Sequence, residues 1–313
     1  MNAPERRPQL SNAEFRSLYA RLEHAASWGS SDRRGALNNI STAQVLAAVG
    51  EVHAGRTVSL ARPVEDVPSA DNPEPCRHEM TGGADDQAHG AGLHFAMDRF
   101  VMNVHGNADS HIDALCHVIY DGKLYNDVSV DTLTPAGASA LSIDAAHDGI
   151  VGRGVLLDIP RLRGVSWLEP GDYVTADDLA AAESAQHLRV TPGDVLFVRV
   201  GHSRRRTEVG AWNAAEARAG LHPTAMEFVA ERHVAVLGSD SNSDTAPSMT
   251  EGVAFPIHVL AINAMGVQLL DYLRFEELVP LCEEENRWSF LCVIAPLRLP
   301  DATGSPVNPI AIL

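Results

Sequence analysis

The chain has 313 residues, is 45% hydrophobic, and carries 24 Lys and Arg against 41 Asp and Glu, for a formal charge of −17 and a pI near 5.1. That length and apolar content bury a large core, as one big domain or two modest ones, and exclude general disorder. The acidic balance excludes broad binding to nucleic acid or to an anionic membrane surface, both of which take clustered Lys and Arg.

In chain order, Met1 to Leu10 carries charge and Pro8 but no apolar stretch of a leader. No apolar run approaches the roughly 18 residues of a membrane span, so a cytoplasmic protein is expected. Ser11-x-x-Glu14 reads as a capping box opening a helix through about His24, and Ser41-x-x-Gln44 opens a second that Gly50 can close. Between them, Trp28-Gly29-Ser30-Ser31-Asp32 and Gly35-Ala36-Leu37-Asn38-Asn39 form a loop rich in turn residues. Residues 63–92 hold prolines, glycines and acids without periodicity, and so long a connection is expected to be a lid.

Further on, Thr175 is expected to cap a helix over 176–187, and Pro192-Gly193-Asp194 to turn into a strand over 195–200. Arg204-Arg205-Arg206, the one basic run, reads as a solvated loop or a local anion contact beside Glu208. Thr224-x-x-Glu227 caps a helix before a strand at 233–237; 275–285 reads as helix and 288–294 as a buried strand. Interleaved strands and helices predict an α/β layered architecture. With no repeat or linker, a single domain over 1–313 is expected, with a helical and loop extension over 1–55. Cys76, Cys116, Cys282 and Cys292 lack C-x-x-C spacing and suit a reducing compartment as ordinary thiols.

The densest chemistry runs from Val104 to His117, in His105-Gly106-Asn107-Ala108-Asp109-Ser110-His111-Ile112-Asp113 and the His117 that follows. On an extended strand Asp109, His111 and Asp113 share a face, and a helical turn after Asp113 would keep His117 with them. Imidazoles with a carboxylate suit zinc or manganese, and the lack of thiolate pairs argues against a closed structural zinc site. The alternative is a pair of buried, hydrogen-bonded histidines with Asp113 in a turn. Asp240-x-Asn242-x-Asp244 with Glu251 imitates a calcium loop, but Thr245 stands where glycine is required and Pro247 follows. It reads as a polar loop at a strand end, where α/β folds place substrate contacts. Nothing matches a serine-hydrolase elbow, a P-loop or a dinucleotide fingerprint.

These residues, together with Trp28, Leu37-Asn38-Asn39, Asp121-Gly122-Lys123-Leu124-Tyr125-Asn126, Gly193-Asp194-Val195 and Gly304-Ser305-Pro306-Val307-Asn308-Pro309, resemble the longer branch of the cyclase family over nearly the whole chain. That family includes bacterial kynurenine formamidase and carries H-x-G-T-H-x-D-x-P-x-H. The resemblance implies a swivelling β/β/α layered fold with a mixed sheet core and flanking helices. It implies one or two divalent ions, zinc or manganese, with His111 and Asp113 as ligands, Asp113 bridging, and His117 as proton shuttle. The family's first histidine aligns with Asn107, a weak neutral ligand, so one metal position is either lost or rescued by Asp109 or His105. The family's distal His and Glu match His258 and Asp271, with Gly266 ending a short helix and 267–270 running as a strand. Aspartate is one methylene shorter than the glutamate it replaces. Homodimers or homotetramers are also implied.

The function so implied is metal-dependent hydrolysis of an amide C–N bond in a small aromatic substrate, of arylformamidase type acting on N-formylkynurenine, as in tryptophan catabolism. Water activated by the metal attacks, and His117 moves the proton. Lactone or cyclic-amide hydrolysis is the runner-up. A metal-free binding or ring-closing protein with a degenerate site is the alternative from another class. Trp28 either stacks an aromatic substrate or packs its own loop.

Overall fold

The computed structural model describes residues 9–25 and 28–313. The first eight residues of the 1–55 extension lie outside the described residues. Eleven strands matter here: β1 Thr57–Ser59, β2 Arg77–Gly82, β3 Met97–Val101, β4 His111–Asp113, β5 Ile150–Asp158, β6 Val195–Arg199, β7 Val236–Ser239, β8 Gln268–Asp271, β9 Ser289–Ile294, β10 Gly304–Pro306 and β11 Ile310–Ile312. Nine of them form one mixed sheet in the order β1-β11-β9-β5-β6-β7-β8-β4-β10, while β2 and β3 pair separately.

At the centre, β5, β6, β7 and β8 run parallel. The central strands β6, β7 and β8 are buried at every residue, as helix-covered parallel strands must be, which explains their unbroken apolar runs. The flanking helices are α1 Asn12–Ala25, α2 Thr42–Val49, α3 Ile159–Arg163, α4 Ala176–Ala185, α5 His202–Val209, α6 Ala225–Glu231, α7 Pro256–His258, continued by a π-helix at Val259–Ala264, and α8 Leu278–Glu285. The α/β class is therefore as expected.

Local signals behave as expected at most helix starts. Glu14 accepts from the Ser11 backbone N–H at 2.8 Å, the Ser41–Gln44 box forms, and Thr175 is boxed with Asp178. Thr224 does not cap α6; its hydroxyl pairs with His222 Nδ1 at 2.9 Å instead. The Arg204–Arg206 run is helical rather than a solvated loop, lying within α5. Segment 63–92 is not structureless, because β2 forms a hairpin with β3.

The separated loop motifs meet. Asp32 accepts from the Gly35 N–H at 2.9 Å, from Asn38 at 2.7 Å and from the Tyr125 hydroxyl at 2.9 Å, and Asn126 donates to the Gly29 carbonyl at 3.0 Å. Gly35 and Gly266 cross at contact, with φ of +57° and +65°. A Cβ on Gly35 would stand 2.2 Å from the Gly266 oxygen, so only glycine fits. The turn-rich loop thus clamps the end of the π-helix that leads into β8. Among the described residues, no helix is long and apolar enough to cross a membrane.

Candidate metal centre

Strand β4 lies between β8 and β10, with Asp271 opposite His111 and Gly304 opposite Asp113. Alternation sends His111 and Asp113 to one face and Ser110 and Ile112 to the other. Ser110 donates to the Tyr272 carbonyl at 2.7 Å and accepts from the Arg62 N–H at 2.9 Å, pinning the strand from behind. After Asp113 the chain turns rather than entering a helix; the His117 N–H donates to the Ala114 carbonyl at 3.0 Å, and the turn returns His117 to the cluster.

Two donor groups converge: His105, His111 and Asp113, and Asp113, His117 and His258, each with ligand atoms within 4.8 Å of one another. Asp113 is common to both and fully buried. Its Oδ1 meets His105 Nδ1 at 2.8 Å, while its Oδ2 has no hydrogen-bond partner among the described residues. Burial opposes ionisation, but the His105 hydrogen bond and the imidazoles of His117, His111 and His258 hold its carboxyl well below the usual carboxylate range.

Each imidazole has a fixed orientation. His111 Nδ1–H donates to the Asp109 carbonyl at 2.8 Å, leaving Nε2 directed at Asp113, 3.7 Å away. His258 Nδ1–H donates to Asp244 at 2.6 Å, leaving Nε2 at 3.5 Å from Asp113 Oδ2 and 3.6 Å from Asp271 Oδ2. His105 Nε2 pairs with the Thr303 hydroxyl at 2.9 Å. His117 stacks on His105, ring centroids 3.7 Å apart and planes within 7°. Burial would lower His258, but Asp244, Asp271 and Asp113 raise it to about 9. Burial drives His117 down to about 4 against the pull of Asp113.

A divalent ion fits this donor set. Ligands held at about 2.0–2.2 Å around one tetrahedral ion stand about 3.3–3.6 Å apart. His258 Nε2 stands at that spacing from the unpartnered Asp113 Oδ2, at 3.5 Å, and from Asp271 Oδ2, at 3.6 Å, while His111 Nε2 is slightly farther, 3.7 Å from Asp113 Oδ1. The mixed nitrogen and oxygen donors suit a divalent ion.

Other candidates fall elsewhere. The Asn107 side chain accepts from the Tyr272 hydroxyl at 3.1 Å and is not among the converging donors. Asp109 is also outside them: its buried carboxyl, raised by burial, takes the Glu65 backbone N–H and lies near Arg62. The shared-face argument fails for Asp109 because β4 begins only at His111. His105 therefore stands where the aligned Asn107 does not. Trp28 lines a small cavity with Ala36, Val229 and Met265 that holds no residue of the cluster.

Sequence reasoning missed the layer behind the donors. Asn242 donates to Asp271 Oδ2 at 2.6 Å, and the Ser243 hydroxyl donates to Oδ1 at 2.8 Å. Burial and nearby Asp113 raise the Asp271 carboxyl against the pull of His258. Asp244 takes the Ile257 and His258 backbone N–H groups as well as the imidazole. Its alternation with Asn242 in the apparent calcium loop was the available signal. This loop follows β7, where parallel sheets place ligand contacts.

A family model described as "Putative cyclase" matches residues 43–244. A crystal structure of a novel cyclase is 30% identical over 94% of this chain and 99% of its own, with a TM-score of 0.85. Isatin hydrolase A from Labrenzia aggregata, bound to benzyl benzoate, is 23% identical over 87% of this chain and 98% of its own, with a TM-score of 0.59. Isatin hydrolase A from Ralstonia solanacearum is 23% identical over 87% and 97%, with a TM-score of 0.57. No curated protein matches the chain. With the family model spanning most of the chain and the whole fold shared, the chain belongs to the cyclase family.

Proposed function

We propose that the chain is a metal-dependent hydrolase that cleaves a carbonyl C–N bond in a small aromatic substrate. The observation that carries this reading is the buried Asp113 carboxylate, common to two groups of converging imidazoles, with its Oδ2 unpartnered and 3.5 Å from His258 Nε2, the spacing of ligands around one ion. His105, His111, Asp113, His258 and Asp271 would hold the metal, and Asp113, common to both donor groups, would bridge if two ions bind. When bound, the metal would lower the pKa of a bound water toward ~7 and polarise a carbonyl. Asp109 and Asp244 hold a proton on each Nδ1, so Nε2 is the nitrogen that would face the metal, which at His258 would displace the second proton. His117, neutral near pH 7 and next to Asp113, accepts a proton from the nucleophile and passes it to the leaving nitrogen.

The lead substrate class is the aryl formamide, of which N-formylkynurenine is the type. Opening of a cyclic amide is the second reading, supported by the fold shared with isatin hydrolases. Elemental analysis of the purified chain, with His111→Ala and Asp113→Ala beside it, tests the centre. Near-stoichiometric zinc or manganese in the parent, lost in both variants, is the expected result, with turnover of formanilides, isatin-type amides and lactones then separating the substrate classes. A parent that stays metal-free after reconstitution overturns the hydrolase reading in favour of the metal-free binding one.

A further inference from the structure

Two rings other than histidine touch the donor cluster among the described residues. Tyr272 lies against His111, ring centroids 6.3 Å apart, but is fully buried, with its hydroxyl on Asn107. Phe255 meets His258 edge to face, centroids 5.6 Å apart at 71°, and is 48% exposed. A large aromatic side chain half open to water beside buried polar groups runs against the burial that drives folding. Phe95 and Phe100, the other exposed phenylalanines, sit on the β2–β3 arm and make no ring contact with the cluster.

The position of Phe255 is held from behind. The guanidinium of Arg218, among the most deeply buried side chains, lies 5.4 Å from the ring centroid. It donates to the carbonyls of Asp244 at 2.8 Å and Ala214 at 2.9 Å. Asp244 is the residue whose carboxylate orients His258, so ring and imidazole are fixed to one anchor. Arg218 lies over one face of the Phe255 ring and His258 meets the ring edge to face, yet about half of the side chain stays exposed. Pro256 follows at the first turn of α7 and restricts the backbone of Phe255. The ring is thus a pre-positioned flat surface, within one side chain's width of the donors that would receive a carbonyl.

We propose that Phe255 is the specificity-determining residue of this site, stacking a planar aryl group whose acyl carbon sits one or two bonds away at the donor cluster. This rests on the hydrolase reading for the chemistry but not for the binding. The class selected is the aryl formamide or benzo-fused cyclic amide, and aliphatic amides lack the flat face to occupy it. Aromatic rings, offset-stacked or edge to face, settle with centroids about 4.5–7 Å apart, the range in which Phe255 already holds His258 edge to face.

The test uses the full chain as purified, with benzoate and acetate as probes read by calorimetry and metal content measured on the same samples. Phe255→Ala and Phe255→Leu are expected to weaken benzoate at least tenfold, Phe255→Tyr to restore it, and acetate to change less than twofold throughout. Metal content is expected to stay at the parent's level in every variant. Phe255→Leu keeps most of the volume and carries the test if the alanine variant fails to fold. Equal losses for both probes, an unchanged benzoate affinity, or no benzoate binding by the parent overturns the inference. A metal-free parent with Phe255-dependent benzoate binding would sink the hydrolase reading and leave the aryl site standing.

Discussion

His258 and Asp271 reach the donor cluster from buried segments whose polar groups are almost all paired, whereas His105 arrives four residues after a hairpin strand that is exposed at every position. On the first side, the 240–245 loop binds both donors through Asn242, Ser243 and Asp244. On the second, 63–76 is held by charge: Arg206 of α5 donates to both Glu65 oxygens, at 2.8 and 2.7 Å, and to Asp71. Met80, Phe95, Met97 and Phe100 stay exposed on the arm. The difference teaches that one half of the centre is pre-organised by the sheet, while the other hangs on an exposed arm with few buried apolar contacts, held to the body by ion pairs.

That contrast can be broken at three points. The largest effect is expected at Asp244→Asn, which removes the carboxylate that fixes His258. Metal affinity should fall about 10–100-fold, the usual loss when a ligand's orienting partner is removed, with circular dichroism unchanged. Titration with a metal-sensitive dye measures it, and an unchanged affinity would mean that His258 is not a ligand.

Next in size, Arg206→Ala should free the second side only. Limited proteolysis within 63–101 should accelerate several-fold, as an open-state population rises, while the melting temperature moves a few degrees at most. Equal cleavage of parent and variant would show that ion pairs do not hold the arm.

The smallest effect lies beneath the first side. Asp240 is fully buried and accepts from the N–H groups of Val200 at 2.7 Å and Gly201 at 2.9 Å. Burial, with repulsion from Glu276, pushes its carboxyl up to about 7, against about 3.9 in an unfolded chain. The folded state holds the proton more tightly, so this contribution is complete below about pH 4 and lost as pH rises through 7. The unfolding free energy should fall between about pH 4 and 7, by at most about 1.4 kcal/mol per unit, and Asp240→Asn should flatten the slope. A slope that survives the substitution belongs to another group.

Much of this molecule is legible along the chain. The capping boxes at Ser11, Ser41 and Thr175, the turn before β6 and the run from Gly266 into β8 rest on neighbours a few residues apart, and local chemistry decides them. His111 and Asp113 are likewise legible, because two residues on one strand share a face in any fold. Thr224 misled because its hydroxyl has a nearer partner in His222.

What the sequence by itself determined is therefore the α/β class, most element positions, and the pairing of His111 with Asp113. Only the tertiary structure brought His105, and not Asn107, beside His111 and Asp113, since 102–110 is irregular backbone whose side-chain directions follow no period. It alone set Asp244 behind His258, packed Trp28 into a cavity of its own, and left Phe255 open beside the cluster. The physical reason is common to all four: each depends on contacts between segments far apart in the chain, and no local pattern encodes which of two neighbouring polar or aromatic groups such a contact will use.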